Sequence, residues 1–146
     1  MYKNRAVYDQ ILPNLFLGGQ QCVTHEFASD YAALAITTTD LGKPTWAREY
    51  LHIQLEDNPQ EPAERVKQAI KSGLEYIDRH IDDGIVVYCG MGVSRSATII
   101  IAYIMRQYKW TFERALQFVK TKRDVCPNLK FRAVLAKYQF EAKWVE

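Results

Sequence analysis

Apolar residues fall along this chain in short blocks whose period switches between two and about three and a half. Val66, Ile70, Leu74, Ile77 and Ile81 recur at steps of three and four, which predicts an amphipathic helix laid against a sheet. Pro62 suits the first turn of that helix, and Asp82-Asp83-Gly84 ends it. Leu51, Ile53 and Leu55 alternate with His52 and Gln54, the pattern of a half-buried strand, which Asp57-Asn58-Pro59 then breaks. Ala35-Ile36-Thr37-Thr38 is β-branched enough for a buried strand. Ile85-Val86-Val87 is a continuous apolar run, as a central parallel strand covered on both faces requires. From Arg95 to about Tyr108 nearly every helical face is apolar, so this segment is expected in the middle of the core.

At the N-terminal end, Ile11-Leu12-Pro13-Asn14-Leu15-Phe16-Leu17 reads as one short edge strand with a turn at Gly18-Gly19, because Pro13 would interrupt a central ladder. Thr24 is placed to cap a short helix running to about Tyr31. Thr111 caps another to about Lys122, and Pro127-Asn128 opens a last one carrying Phe131, Leu135, Tyr138 and Trp144. Strands alternating with helices predict an α/β fold, a central mostly parallel sheet flanked by helices. With no repeat and no linker, residues 1–146 are expected to form one domain.

Composition narrows the function. Nineteen Lys and Arg against seventeen Asp and Glu leave a net charge of +2, too little field to argue for nucleic acid or a membrane surface, so anion recognition must be local. No membrane span is expected, since the apolar run from Ala97 to Met105 stops at Arg106. The polar start Met1 to Arg5 predicts no secretory leader, and three widely spaced cysteines, Cys22, Cys89 and Cys126, predict a reducing compartment, the cytoplasm or nucleus. His25, His52 and His80 are scattered without ligand spacing, so no metal is expected.

The chemistry concentrates in Cys89-Gly90-Met91-Gly92-Val93-Ser94-Arg95-Ser96. A Cys and an Arg six positions apart arise by chance roughly 0.2 times in a chain with three cysteines and nine arginines, so spacing alone says little. Context says more. The segment joins the carboxyl end of a buried strand to a buried helix, where open α/β sheets place their ligands. Gly90 and Gly92 let the backbone curl so that the amides of Gly90, Met91, Gly92, Val93 and Ser94 face an anion, and the helix dipole adds to that field. Arg95 supplies a planar fork matched to two phosphate oxygens. A thiol at the base of such a cradle is favoured as thiolate and becomes a nucleophile. The competing reading, an inert buried Cys, leaves Gly90, Gly92 and Arg95 unexplained.

This segment resembles the Cys-x5-Arg-Ser/Thr signature of the cysteine-dependent protein tyrosine phosphatases, and Gly92 to Ser96 is similar to their dual-specificity branch in particular. Ile11 to Gly18 resembles the opening strand of that family, Ile101 to Met105 its buried helix, and Pro127-Asn128 with Phe131 its closing segment. The resemblance implies a protein phosphatase without a cofactor, acting on phosphotyrosine and phosphoserine or phosphothreonine of a phosphorylated protein. It implies attack by Cys89 to give a phosphocysteine, charge stabilisation by Arg95 and the loop amides, and a Ser96 hydroxyl that assists departure of the thiolate. It places the general acid at Asp57, just after the strand ending at Leu55 and about thirty residues before the nucleophile, with Glu56 in reserve and a plain turn residue as the alternative. Asn128 is similar to the family's loop-bracing Asn and would serve equally as a helix cap.

The family normally carries His before the Cys. Here Tyr88 stands there and brings no positive charge, which predicts a weaker or more alkaline enzyme. Lys120, Lys122, Arg123, Lys130 and Arg132 form a basic cluster, read as solvated helix ends with substrate docking as the sharper alternative. Two other functions stay open: a non-catalytic phospho-binding module, and a phosphatase for phosphoinositide, glycan phosphate or RNA 5' ends. Met91 and Val93, in place of the lysines that suit highly charged lipids, favour protein monoesters.

Overall fold

The computed structural model describes residues 6–27 and 30–138. Five strands form one sheet: β1 (Tyr8–Leu12), β2 (Leu15–Gly18), β3 (Ala32–Thr37), β4 (Glu49–Gln54) and β5 (Ile85–Tyr88), in the order β1-β2-β5-β3-β4. β2, β5, β3 and β4 run parallel, and β1 alone is antiparallel, joined to β2 by a hairpin. Leu17 pairs with Val87 and Leu34 with Val87, so β5 lies between two strands and its carboxyl end opens at the middle of the sheet edge. The helices are α1 (Ala63–His80), α2 (Arg95–Tyr108), α3 (Phe112–Lys120) and α4 (Leu129–Tyr138).

Strand alternation divides the core in two. Leu15, Leu17, Leu34, Ile36, Ile85, Val87 and Cys89 face the four α-helices, and α2 is buried along ten of its fourteen residues. The helices approach closely at Gly73 of α1, where a Cβ would lie 2.7 Å from Cγ2 of Ile99 in α2. The opposite face bears Ala33, Ala35, Val86 and Tyr88, packed with Tyr8, Phe16 and Tyr50 of the neighbouring strands and with Trp46 and Cys22 from the loops. The functional loop thus hangs between the central strand and the most buried helix.

Two expectations at the N-terminal end are corrected. The apolar run from Ile11 to Leu17 is a hairpin, with Pro13 and Asn14 in its turn; Asn14 takes φ 67°, a left-handed conformation that Asn tolerates better than most residues. The helix expected from Thr24 to Tyr31 is absent from its described residues, and the helical turn is a 3-10 segment at Gln20–Val23. Tertiary packing overrides the local pattern here: Phe27 lies 4.8 Å from the Tyr8 ring and 4.7 Å from Trp46, which holds this segment open over the sheet. β3 begins three residues earlier than its β-branched core suggested, at Ala32. Ala28, Ser29 and Trp144 lie outside the described residues.

Behind the sheet, at the end of α1, His80 is buried against the Tyr76 ring, with Nε2 3.6 Å from a Glu49 carboxylate oxygen. Burial holds this imidazole below its ordinary range; Glu49 and Asp83 oppose the shift, while Arg48 and Arg79 reinforce it. The unfolded chain therefore takes up the proton first, and stability contributed by neutral His80 is lost as pH falls below about 6.5. Urea denaturation between pH 7.5 and 5.5 should show a steeper acid loss of stability for the wild type than for His80→Gln; parallel curves would contradict this.

Candidate active site

The geometry of residues 89–95 follows from where their carbonyls go. Gln20 N–H donates to the Gly90 carbonyl (2.9 Å), and Cys126 N–H donates to that of Val93 (2.8 Å). Arg123 takes the two between them, its Nη2 donating to Met91 O and its Nε to Gly92 O, each at 3.0 Å. Ser94 O accepts from Thr98 through both its N–H and its hydroxyl. A trans peptide points each N–H away from the carbonyl before it. Four carbonyls fixed outward therefore turn the N–H groups of Met91, Gly92, Val93 and Ser94 inward, and these donate to no acceptor among the described residues. Gly92 permits the curl: it sits at φ +69°, and a Cβ there would lie 2.6 Å from the Gly18 backbone.

Cys89 lies at the bottom, 2% exposed, with its Sγ 3.1 Å from the Oγ of fully buried Ser96. A hydroxyl at that distance can donate to a thiolate. Arg95 brings its guanidinium to the Gly90 end of the loop. Its Nη1 donates to Leu55 O (3.2 Å) and to the Thr38 hydroxyl (3.4 Å), while its buried Nε has no protein partner among the described residues. Nη2 lies 3.1 Å from the point where a Cβ on Gly90 would stand. The guanidinium is thus fixed by one amino group, and its Nε–Nη2 edge, the edge that grips two oxygens of a tetrahedral anion, remains for a ligand. A cleft of about 170 Å³ lined by Gln20, Thr37, Thr38, Thr39, Leu41, Gly90 and Arg95 opens beside it.

Asp57 is tied to this loop from the other side. Asn128 Nδ2 donates to Asp57 Oδ1 (2.9 Å), Asn128 N–H donates to the Ser94 hydroxyl (3.0 Å), and Asn128 Oδ1 accepts from Phe131 N–H (3.1 Å). Both readings of Asn128 hold together, as brace and as helix cap. The 56–61 turn is closed by Glu56 N–H donating to Glu61 and Gln60 N–H donating to Asn58, so Asp57 is presented on a constrained loop. Tyr88 is buried on the face of the sheet opposite the Cys89 thiol, and burial pushes its phenol well up, so it lends the sulfur neither contact nor charge.

Arg123 corrects the reading of the basic cluster. It is 4% exposed, and its Nη1 donates to Ala6 O (2.7 Å) and pairs with Asp9 of β1 (2.9 Å) while the rest of the fork holds the loop. Nothing in the run Lys120 to Arg123 separates this arginine from its solvated neighbours; only its tertiary partners do. The bracing amide of Gln20 was equally hidden, since a backbone donor leaves no mark in sequence.

The dual specificity phosphatase catalytic domain family matches residues 15–141, and the chain belongs to that family. It is 32% identical over 139 residues to a probable dual specificity protein phosphatase of Dictyostelium discoideum, covering 92% of this chain and 34% of that protein. It is 30% identical over 142 residues to dual specificity protein phosphatase 8 of Mus musculus, covering 92% and 21%. The chain thus spans about a third or less of these relatives' lengths. Among solved structures, human DUSP28 superposes with a TM-score of 0.79 at 24% identity, covering 98% of this chain and 99% of that one. A mouse putative dual specificity phosphatase complexed with zinc tungstate gives 0.74 at 26% identity, covering 98% and 92%.

Removing the brace should be costly. Arg123→Met leaves Asp9 and three carbonyls without their donor and is expected to destabilise the chain by about 3 to 5 kcal/mol in urea denaturation. A loss below about 1 kcal/mol would contradict the assignment.

Proposed function

We propose that this chain is a protein phosphatase that hydrolyses phosphotyrosine and phosphoserine or phosphothreonine through a phosphocysteine. The observation that carries the reading is the Arg95 guanidinium, anchored through Nη1 with its Nε–Nη2 edge unpaired, set beside a ring of inward amides with a thiol at its base. Such a ring accepts the three equatorial oxygens of a phosphoryl group, and fixed donors aimed at developing charge lower the barrier without reorganising during reaction.

In the first step the Cys89 thiolate attacks phosphorus, the ester P–O bond breaks, and Asp57 gives its proton to the leaving oxygen. In the second, water attacks phosphorus, Asp57 takes back a proton, and the S–P bond breaks with Ser96 donating a hydrogen bond to the departing thiolate. Inorganic phosphate leaves and both side chains return to their starting states. The free thiol suits a reducing compartment such as the cytoplasm.

Turnover of a small aryl phosphate in EDTA tests this directly. Cys89→Ser should abolish it, and Asp57→Ala should lower kcat by about 10²- to 10⁴-fold while leaving phosphate binding intact. Activity that survives Cys89→Ser, or a wild type inactive throughout pH 5 to 8 that still binds phosphopeptide, would refute the reading; the latter result identifies a binding module. Because Tyr88 faces away from the sulfur, Tyr88→His is expected to leave the pH profile of turnover unchanged, and a rise near pH 6 would contradict that placement.

A further inference from the structure

A guanidinium can offer an anion either of two forks, Nη1–Nη2 at its tip or Nε–Nη2 along its side. Which fork Arg95 offers is decided at Nη1, whose two hydrogens have two acceptors, Leu55 O at 3.2 Å and the Thr38 hydroxyl at 3.4 Å. Leu55 contributes a backbone carbonyl, which a side-chain substitution leaves in place. Among the described residues, Thr38 is the one side chain that accepts from Arg95.

Thr38 is exposed, so its own packing does not place it. Its neighbour does. Thr37 is 6% exposed, and its hydroxyl donates to Thr39 O (2.8 Å), closing a turn around residue 38. The Thr37 carbonyl accepts from Leu55 N–H (3.3 Å) and from His52 Nε2 (3.0 Å). Both acceptors of Nη1 therefore hang from Thr37, at the end of β3: Leu55 through its own N–H, and Thr38 through that turn. Thr38 and Arg95 stand together on the wall of the cleft beside the loop.

We infer that Thr38 is a positioning residue for the phosphatase reaction: its hydroxyl occupies the tip of the Arg95 guanidinium and leaves the Nε–Nη2 fork as the edge that meets the phosphoryl oxygens. The inference deepens the phosphatase reading and rests on its anion site. Without the hydroxyl one Nη1 hydrogen is free, the guanidinium gains torsional freedom, and binding an anion must order it again. The Thr38 contact is the longer of the two, so its loss weakens the grip and does not abolish it.

Calorimetric titration with tungstate tests this on the wild type, Thr38→Val and Thr38→Ser, with kcat/KM for a small aryl phosphate and urea denaturation alongside. Thr38→Val keeps the shape and removes the hydroxyl; it is expected to raise the tungstate dissociation constant about three- to tenfold and to lower kcat/KM in step. Thr38→Ser should restore both, and the urea midpoint should stay unchanged in each variant, as it should for an exposed side chain. Tungstate bound as tightly by Thr38→Val as by the wild type would overturn the assignment. So would a loss that serine does not restore, or one matched by a fallen urea midpoint, which marks a structural role. A wild type that binds tungstate without turning over the aryl phosphate would bring down the phosphatase reading alone, leaving the Arg95 clamp to be judged on affinity; a wild type that binds no tungstate would overturn both.

Discussion

Outward anchoring of four consecutive carbonyls, from Gly90 to Val93, is the constraint on which the site depends. A buried carbonyl without a donor costs about 1 to 3 kcal/mol, so each anchor resists the peptide flip that would turn an oxygen into the ring. Because every peptide is rigid, the same anchors orient the amides without any ligand to organise them. The loop amides are therefore oriented before any anion arrives, which is what electrostatic preorganisation requires.

The rest of the fold supplies the anchors. β5 is central and buried, so it delivers Cys89 to the bottom of the ring at a fixed height, and α2 carries Ser96 back beneath the sulfur. The turn after β2 contributes Gln20, the segment after α3 contributes Arg123, and the approach to α4 contributes Cys126 and Asn128. Arg123 also pairs with Asp9, so the antiparallel edge strand, remote from the chemistry in sequence, is mechanically part of the loop. Arg95 is held by a backbone carbonyl and a hydroxyl, neutral partners that leave its charge undiminished for a ligand.

What could be read from sequence was what lies in one contiguous stretch. Cys89, Gly90, Gly92, Arg95 and Ser96 come together because they are neighbours along the chain, and the buried strand and helix around them announce themselves by apolar runs. Asp57 and Asn128 were legible as positions, and the structure joins them by a direct hydrogen bond. Arg123 was not legible, since its role is set by Ala6, Asp9, Met91 and Gly92, none near it in sequence. The 24–27 segment failed for a related reason: a plausible cap at Thr24 was outweighed by aromatic rings on Tyr8 and Trp46.

The most direct measurement is a crystal structure of Cys89→Ser soaked with tungstate. The account predicts one tetrahedral anion inside the loop, bonded by the amides of residues 91–94 and by Nε and Nη2 of Arg95, with the carbonyls of Gly90 to Val93 still on Gln20, Arg123 and Cys126. An anion seated elsewhere, or a loop that must flip those peptides to receive it, would contradict it.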